Sequence, residues 1–150
     1  MRTHNPKKKS RGIYFAALFL VVIVGCVALV YSIANWTAAA KAKKLQNPFP
    51  QTDAAWGAGM SVYLDNCQKC HGENGDGKGE KASELSVAPG NLTDKKKMDE
   101  LTDGELYWQV TKGKKPMPGF EDKLNAEQRW NAVDYIRSLS QPPAHAAAPK

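Results

Sequence analysis

Two cysteines and a histidine in one short run restrict most strongly what this chain can fold into. Cys67 and Cys70 are three residues apart, and His71 follows directly. On one helical turn the two thiols lie on the same face, with the imidazole beside them. This pattern is typical of a site where two thioether bonds hold a haem and the histidine binds its iron from the proximal side. The sequence therefore predicts one covalently attached haem c.

Two other kinds of Cys-x-x-Cys site compete with this interpretation. A redox disulfide does not require the adjoining histidine, and a zinc site needs two further ligands. The remaining candidate ligands are Cys26, inside an apolar run, and His4 and His145, near the two ends of the chain. Both alternatives are therefore less favoured than haem.

A second axial ligand is predicted among the methionines. Met117 stands between two prolines, whose rings stiffen the loop and could hold a thioether at the iron. Met98 follows three lysines, so we expect it on a solvated segment and rank it second as a ligand. Met60 has the spacing of a helix core residue. An open distal position is the remaining alternative.

An uncharged stretch covers residues 13–34 and is rich in aliphatic side chains. As a helix it would be about 33 Å long, enough for the roughly 30 Å hydrocarbon core of a bilayer. Five Lys or Arg precede it and three closely follow it, which favours a cytoplasmic N-terminus. The sequence thus predicts a single-pass anchor in a bacterial inner membrane, with the haem domain in the periplasm.

Two alternatives for this stretch involve cleavage. A secretory signal peptide would need a shorter apolar region. A lipoprotein signal is the closer rival, because the residues from Ile23 to Cys26 resemble its cleavage box and would leave a lipid anchor on Cys26. The apolar run continues past Cys26 to Val30, which favours a spanning helix.

The net charge of +6 does not indicate nucleic-acid binding. Residues 1–52 contain eight Lys or Arg and no Asp or Glu, whereas all 15 acidic residues lie within residues 53–140. The basic charge therefore belongs to the segments flanking the apolar stretch. We expect no nucleic-acid partner.

The rest of the chain has helical periodicity and no alternating strand pattern. Residues 102–105 have the form of a capping box, and residues 125–128 have a similar one. We predict an all-α fold, with three to four short helices around one haem, preceded by a single transmembrane helix. The expected organisation is a basic cytoplasmic arm (1–12), the anchor (13–34), a linker (35–52), the cytochrome domain (53–140) and a flexible tail (141–150).

Several of these pieces together resemble class I monohaem cytochromes c, from about residue 47 to residue 139. The matching pieces are Tyr63 to Gly72, Gly75-Asp76-Gly77-Lys78-Gly79, Ala88-Pro89-Gly90-Asn91-Leu92, the Met117-Pro118 loop with Phe120, and the closing segment from Trp130 to Leu139.

The resemblance implies roles for individual residues. In that family a proline carbonyl accepts a hydrogen bond from the proximal imidazole, and Pro89 matches it. Leu92, Tyr107 and Phe120 match residues of the haem pocket. Gly59, with two tyrosines, matches the crossing of the first and last helices.

The predicted function is single-electron transfer without a small-molecule substrate. With His71 and Met117 both bound, the iron has no free position. Together with the anchor, the chain is similar to monohaem cytochrome subunits of respiratory complexes, such as alternative complex III and some terminal oxidases. We expect redox proteins or subunits of such a complex as partners. A haem enzyme or gas sensor with a labile distal site is the alternative.

Overall fold

The computed structural model describes residues 7–141, and in this range the fold is all-α, as predicted. The helices are α1 (Lys7–Ala42), α2 (Asp53–Asn66), α3 (Gln68–His71), α4 (Lys95–Asp99), α5 (Asp103–Lys112) and α6 (Ala126–Ser138), with a 3-10 turn at Ala82–Glu84. Within these residues the only β pairing is an isolated bridge between Lys114 and Met117.

Helix α1 contains the predicted apolar stretch. Ile13–Val30 has a mean hydropathy of 3.0, and its length and composition suffice to cross a membrane. The side chains along Ile13–Val30 are exposed, including the free thiol of Cys26. The chain divides into two compact units, and the boundary falls between Ala40 and Lys41. Residues 1–6 of the predicted arm and residues 142–150 of the predicted tail lie outside the described residues.

The second unit is built on the packing of α2 against α6. Tyr63 and Val133 are completely buried there, and Tyr63 stacks at a tilt on Tyr135 with ring centroids 5.1 Å apart. The backbones meet at Gly59, where an added Cβ would lie 1.9 Å from the carbonyl oxygen of Asn131. The predicted helix crossing at Gly59 is confirmed, because only a residue without Cβ permits this approach.

Both predicted capping boxes are present. The Thr102 hydroxyl accepts from the backbone N–H of Glu105, whose carboxylate accepts from the Thr102 N–H at the start of α5. Asn125 and Gln128 form the same pair at the start of α6. These reciprocal bonds satisfy amides that the first helical turn would leave without partners.

An arginine links α6 to the segment between α4 and α5. Arg137 donates to the carbonyls of Met98 and Leu101, at 2.6 and 2.9 Å, and to the carboxylate of Asp103, at 2.7 and 2.9 Å. It thereby holds α4 against the core.

Candidate haem site

The two cysteines and the histidine lie on one short helical turn at the end of α2. The N–H of Cys67 donates to the carbonyl of Tyr63 at 2.8 Å, and the N–H of His71 donates to the carbonyl of Cys67 at 2.9 Å. The two free thiols and the imidazole are all partly buried. The structure thus brings together the three residues that the sequence predicted for attachment.

The glycine-rich loop after this turn donates hydrogen bonds to the last carbonyl groups of the turn. Gly77 donates to His71, Gly79 to Cys70 and Lys81 to Lys69, at 2.7, 3.1 and 2.8 Å. A Cβ on Gly79 would lie only 2.4 Å from the carbonyl oxygen of Lys69. The glycine therefore lets the loop lie directly on the helical turn, and the loop holds that turn in place.

His71 is oriented by a backbone carbonyl, but not by the predicted one. Its Nδ1 lies 3.3 Å from the carbonyl oxygen of Gly90. The prediction named Pro89, one residue earlier, and that assignment of the acceptor is wrong. The carbonyl oxygen of Pro89 instead faces Gly77, where an added Cβ would lie 2.8 Å away.

This hydrogen bond determines which nitrogen of His71 could bind a metal. A carbonyl can only accept, so the proton of a neutral imidazole sits on Nδ1, which leaves the lone pair of Nε2 free. Burial lowers the pKa of His71, and the bond to Gly90 partly opposes this. The imidazole is therefore neutral at pH 7, which is the form that binds iron.

The environment of Cys67 does not favour its thiol as the attacking group of a redox-active disulfide. Burial, reinforced by Cys70, raises the pKa of the Cys67 thiol to about 12, while Lys123 opposes the shift. Disulfide exchange needs a thiolate at neutral pH. Among the described residues, no group of three or more His, Cys, Asp or Glu could hold a metal ion either. The chemistry of Cys67, Cys70 and His71 fits a covalently attached haem instead.

Met117 lies in a tight turn that follows the end of α5. Its N–H donates to the carbonyl of Lys114 at 2.9 Å, and its own carbonyl accepts from Lys114 at 3.0 Å. Gly113, at φ +70°, has no room for a Cβ, which would lie 2.5 Å from the backbone of Pro118 and Gly119. The Met117 side chain packs against the core but stays partly exposed.

Met98 has a different environment from the solvated segment that we expected. Its side chain is only 2% exposed and belongs to the central core cluster. The expectation of a solvated residue is wrong, because Arg137 binds the Met98 carbonyl and holds α4 inward. Met98 is therefore enclosed by protein atoms, whereas Met117 is partly exposed.

The other predicted pocket residues surround the same core. Phe120 is buried within it, and Leu92 and Tyr107 pack against it. Leu92 donates its N–H to the carbonyl of Gly75 at 2.7 Å, which links the two loops on either side of the 3-10 turn. Contact of these three side chains with haem stays a prediction.

Tyr107 belongs to an arrangement that the sequence did not reveal. Its ring stacks on Trp130 with centroids 4.3 Å apart, and its hydroxyl accepts from the guanidinium of Arg129 at 3.0 Å. The same guanidinium donates to the carbonyls of Glu121 and Leu124, and Arg129 is 8% exposed. Only the helical spacing of Arg129 with the apolar residues of α6 could have indicated that it is buried.

The helix crossing, the attachment turn and the methionine loop together define a small c-type cytochrome. The family model described as cytochrome c oxidase, cbb3-type, subunit III matches residues 54–136, which is more than half of the chain. The chain belongs to this cytochrome c family.

Individual relatives agree with this assignment. Cytochrome c6 of Euglena viridis is 29% identical over 91 residues, covering 57% of this chain and 94% of that protein. Cytochrome c6 of Euglena gracilis is 29% identical over 83 residues, covering 52% and 85%. A chain from a reducing HAO-like protein complex of Kuenenia stuttgartiensis matches with a TM-score of 0.56 and 31% identity, covering 63% of this chain and 48% of that one. This chain thus spans about half the length of that solved relative.

The family defines the cofactor and the general function. Cytochromes of this family carry covalently attached haem c and transfer electrons. The cofactor of this chain is therefore one covalently bound haem c, and its function is electron transfer.

Proposed function

We propose that this chain is a membrane-anchored electron carrier whose haem is held by thioethers from Cys67 and Cys70 and ligated by His71 and Met117. The haem, when bound, supplies an iron that gains and loses one electron. The chain's own residues orient the imidazole, supply the thioether and keep other molecules from the iron.

The observation that carries this proposal is the hydrogen bond from His71 Nδ1 to Gly90, beside two free thiols on the same helical turn. With the proton on Nδ1, this bond leaves the Nε2 lone pair free to bind a metal. A partner on the second nitrogen also fixes the ring and tunes the electron donation of a ligating histidine.

Replacement of Met117 tests the second ligand. Met117→Ala should lower the reduction potential and remove the weak sulfur-to-iron absorption band in the far red, because a thioether ligand favours ferrous iron. Spectroelectrochemistry of the full-length protein in detergent measures both.

Met98→Ala is the matched control. It should leave the band and the potential unchanged, and should reduce the free energy of unfolding by about 2–5 kcal/mol, the usual cost of truncating a buried methionine. If the band disappears in the Met98 variant and persists in the Met117 variant, the proposed ligand is wrong.

We also propose that α1 anchors the protein in a bacterial inner membrane with the haem domain in the periplasm. The exposed apolar stretch Ile13–Val30 and the basic residues before it support this orientation. A reporter fused to the C-terminus should be active only if it functions in the periplasm. Mass spectrometry should find residues before Gly25 in the mature protein, whereas a chain that begins at a lipidated Cys26 would contradict the spanning anchor.

Redox proteins, including subunits of a respiratory complex, are the proposed partners. Lys69, Lys114 and Lys115 are exposed close to the attachment turn and the methionine loop in sequence, and Lys123 is near Cys67. These charges favour a partner with an acidic face. The similarity to a chain from a redox protein complex supports an assembly of this kind.

A further inference from the structure

We infer that the Tyr63 hydroxyl is a positioning group for His71, because a chain of hydrogen bonds joins it to the loop whose carbonyl orients the imidazole. The inference rests on the proposed ligation of the haem iron by His71 and deepens it. The chain begins at Tyr63 in α2 and continues through Gly72 and Gly75 to residues 88–92, called here the acceptor loop.

The hydroxyl of Tyr63 is a buried hydrogen-bond donor at the end of the attachment turn. Tyr63 is 0% exposed, and its hydroxyl donates to the carbonyl of Gly72 at 2.6 Å. Gly72 is the residue directly after His71. Burial, reinforced by Cys67 and Tyr135, raises the pKa of Tyr63. The hydroxyl therefore keeps its proton, and with it the bond to Gly72, well above neutral pH.

The Gly72 carbonyl links Tyr63 to the glycine-rich loop. This carbonyl also accepts from the N–H of Gly75 at 3.1 Å, and the Gly75 carbonyl accepts from the N–H of Leu92 at 2.7 Å. Gly75 packs directly against α6 and the acceptor loop, since an added Cβ would lie 2.7 Å from Cδ1 of Leu139 and 3.2 Å from Cβ of Leu92. Two backbone hydrogen bonds therefore connect the Gly72 carbonyl, which Tyr63 fixes, to the acceptor loop.

The acceptor loop lies against the glycine-rich loop at the point where it meets His71. An added Cβ on Gly77 would lie 3.5 Å from the carbonyl oxygen of Gly90. Gly77 itself donates to the carbonyl of His71 at 2.7 Å. The Gly90 carbonyl accepts from Nδ1 of His71 at 3.3 Å and is two residues from Leu92. The length of this bond therefore depends on how closely the two loops pack, and the Tyr63 hydroxyl fixes one end of that contact.

Loss of the Tyr63 hydroxyl should weaken the bond from His71 to Gly90 and leave the ring packing intact. In Tyr63→Phe the Gly72 carbonyl keeps the N–H of Gly75, so the turn stays closed while its hydrogen bond to α2 is lost. A hydrogen bond on the second nitrogen raises the basicity of a ligating histidine. A weaker bond makes His71 a poorer electron donor, which favours ferrous iron and raises the reduction potential.

The potential and the Nδ1 proton of His71 provide the first test. Tyr135→Phe is the matched control, because Tyr135 stacks on Tyr63 but its hydroxyl is not part of this chain of hydrogen bonds. Tyr63→Phe should raise the potential and speed hydrogen exchange at Nδ1 by a factor of about two to ten, as expected for a loss comparable to one hydrogen bond. Tyr135→Phe should change neither.

Spectroelectrochemistry and NMR of the reduced, histidine-labelled, full-length protein in detergent measure these two quantities. Wild-type values in Tyr63→Phe, or equal shifts in both variants, would overturn the inference, even if Tyr63→Phe unfolds more easily. A wild-type spectrum that is not that of a histidine-ligated haem would overturn the proposed ligation as well.

Exchange of backbone amides tests the route between Tyr63 and the acceptor loop. In Tyr63→Phe the N–H groups of Gly75 and Leu92 should exchange faster than in wild type, because both bonds belong to the chain. The N–H of Gly113, which donates to the carbonyl of Gln109 at 2.8 Å at the end of α5, is the control and should keep its rate. If Gly75 and Leu92 keep their wild-type rates, or Gly113 accelerates by the same factor, the inference is overturned.

Discussion

Replacing Gly59 with alanine should weaken the packing of α2 against α6, on which the haem domain is built. The new Cβ would lie 1.9 Å from the carbonyl oxygen of Asn131 and 3.2 Å from Cβ of Tyr135. Carbon and oxygen atoms in weak contact are normally about 3.3–3.6 Å apart. The two helices would have to separate by roughly 1.4 Å, which would loosen the contact of Tyr63 with Tyr135.

The same helix supplies a matched control. At Gly57, two residues earlier, an added Cβ meets nothing within 4 Å. Gly57→Ala should therefore show only the gain in helix propensity, about 0.5–1 kcal/mol. Gly59→Ala makes the same gain but has an overpacking cost of about 1–3 kcal/mol or more.

The stabilities of the two variants should therefore differ by about 1–3 kcal/mol or more. For a domain of about 100 residues, each kcal/mol shifts Tm by about 4–8 °C. Thermal unfolding of the haem-loaded, full-length protein in detergent, followed by near-UV circular dichroism and haem absorption, measures this difference. Equal Tm values for Gly59→Ala and Gly57→Ala would refute the close helix contact at Gly59.

Two further predictions concern the ends of α5 and α6. Arg137→Ala should lower the free energy of unfolding by about 2–3 kcal/mol, because hydrogen bonds from a charged donor to two carbonyls and to Asp103 are lost. Denaturant titrations measure this loss. An unchanged denaturation midpoint would contradict the stabilising role of Arg137. The second prediction is that the stability of the fold depends on pH through Glu105. The Thr102 N–H and hydroxyl, with Lys43, lower the pKa of Glu105 below its ordinary value of 4.5. Since the folded-state pKa is lowered, this stabilisation is present above pH 4.5 and is lost as the pH falls through the lowered pKa. Glu105→Gln should remove this part of the fall in Tm at low pH. If Tm of the variant falls with pH as it does in wild type, this role of Glu105 is contradicted.

Local patterns in the sequence predicted the parts of the site that are encoded locally. Cys67, Cys70 and His71 are nearly contiguous, and any helical turn places them together. The capping boxes at Thr102 and Asn125 each involve residues three apart, so their geometry follows from the helix start itself.

Contacts between distant residues account for the predictions that were wrong or incomplete. The burial of Met98 depends on Arg137, which lies in another helix. The acceptor for His71 depends on the path of a loop, where a shift of one residue exchanges Pro89 for Gly90. Asn47, in the predicted linker, likewise donates to the carboxylate of Asp134, which lies far along the chain. No periodicity or motif in the sequence encodes these pairings.

An optical redox titration of the full-length protein tests whether this chain carries one haem that only transfers electrons. We predict a single reversible one-electron wave, unchanged under carbon monoxide, because His71 and Met117 would occupy both axial positions of the iron. A carbon monoxide adduct of the reduced protein, with a shifted wave, would indicate an open or labile distal site and contradict the proposed ligation. The absence of a reversible wave would contradict electron transfer itself.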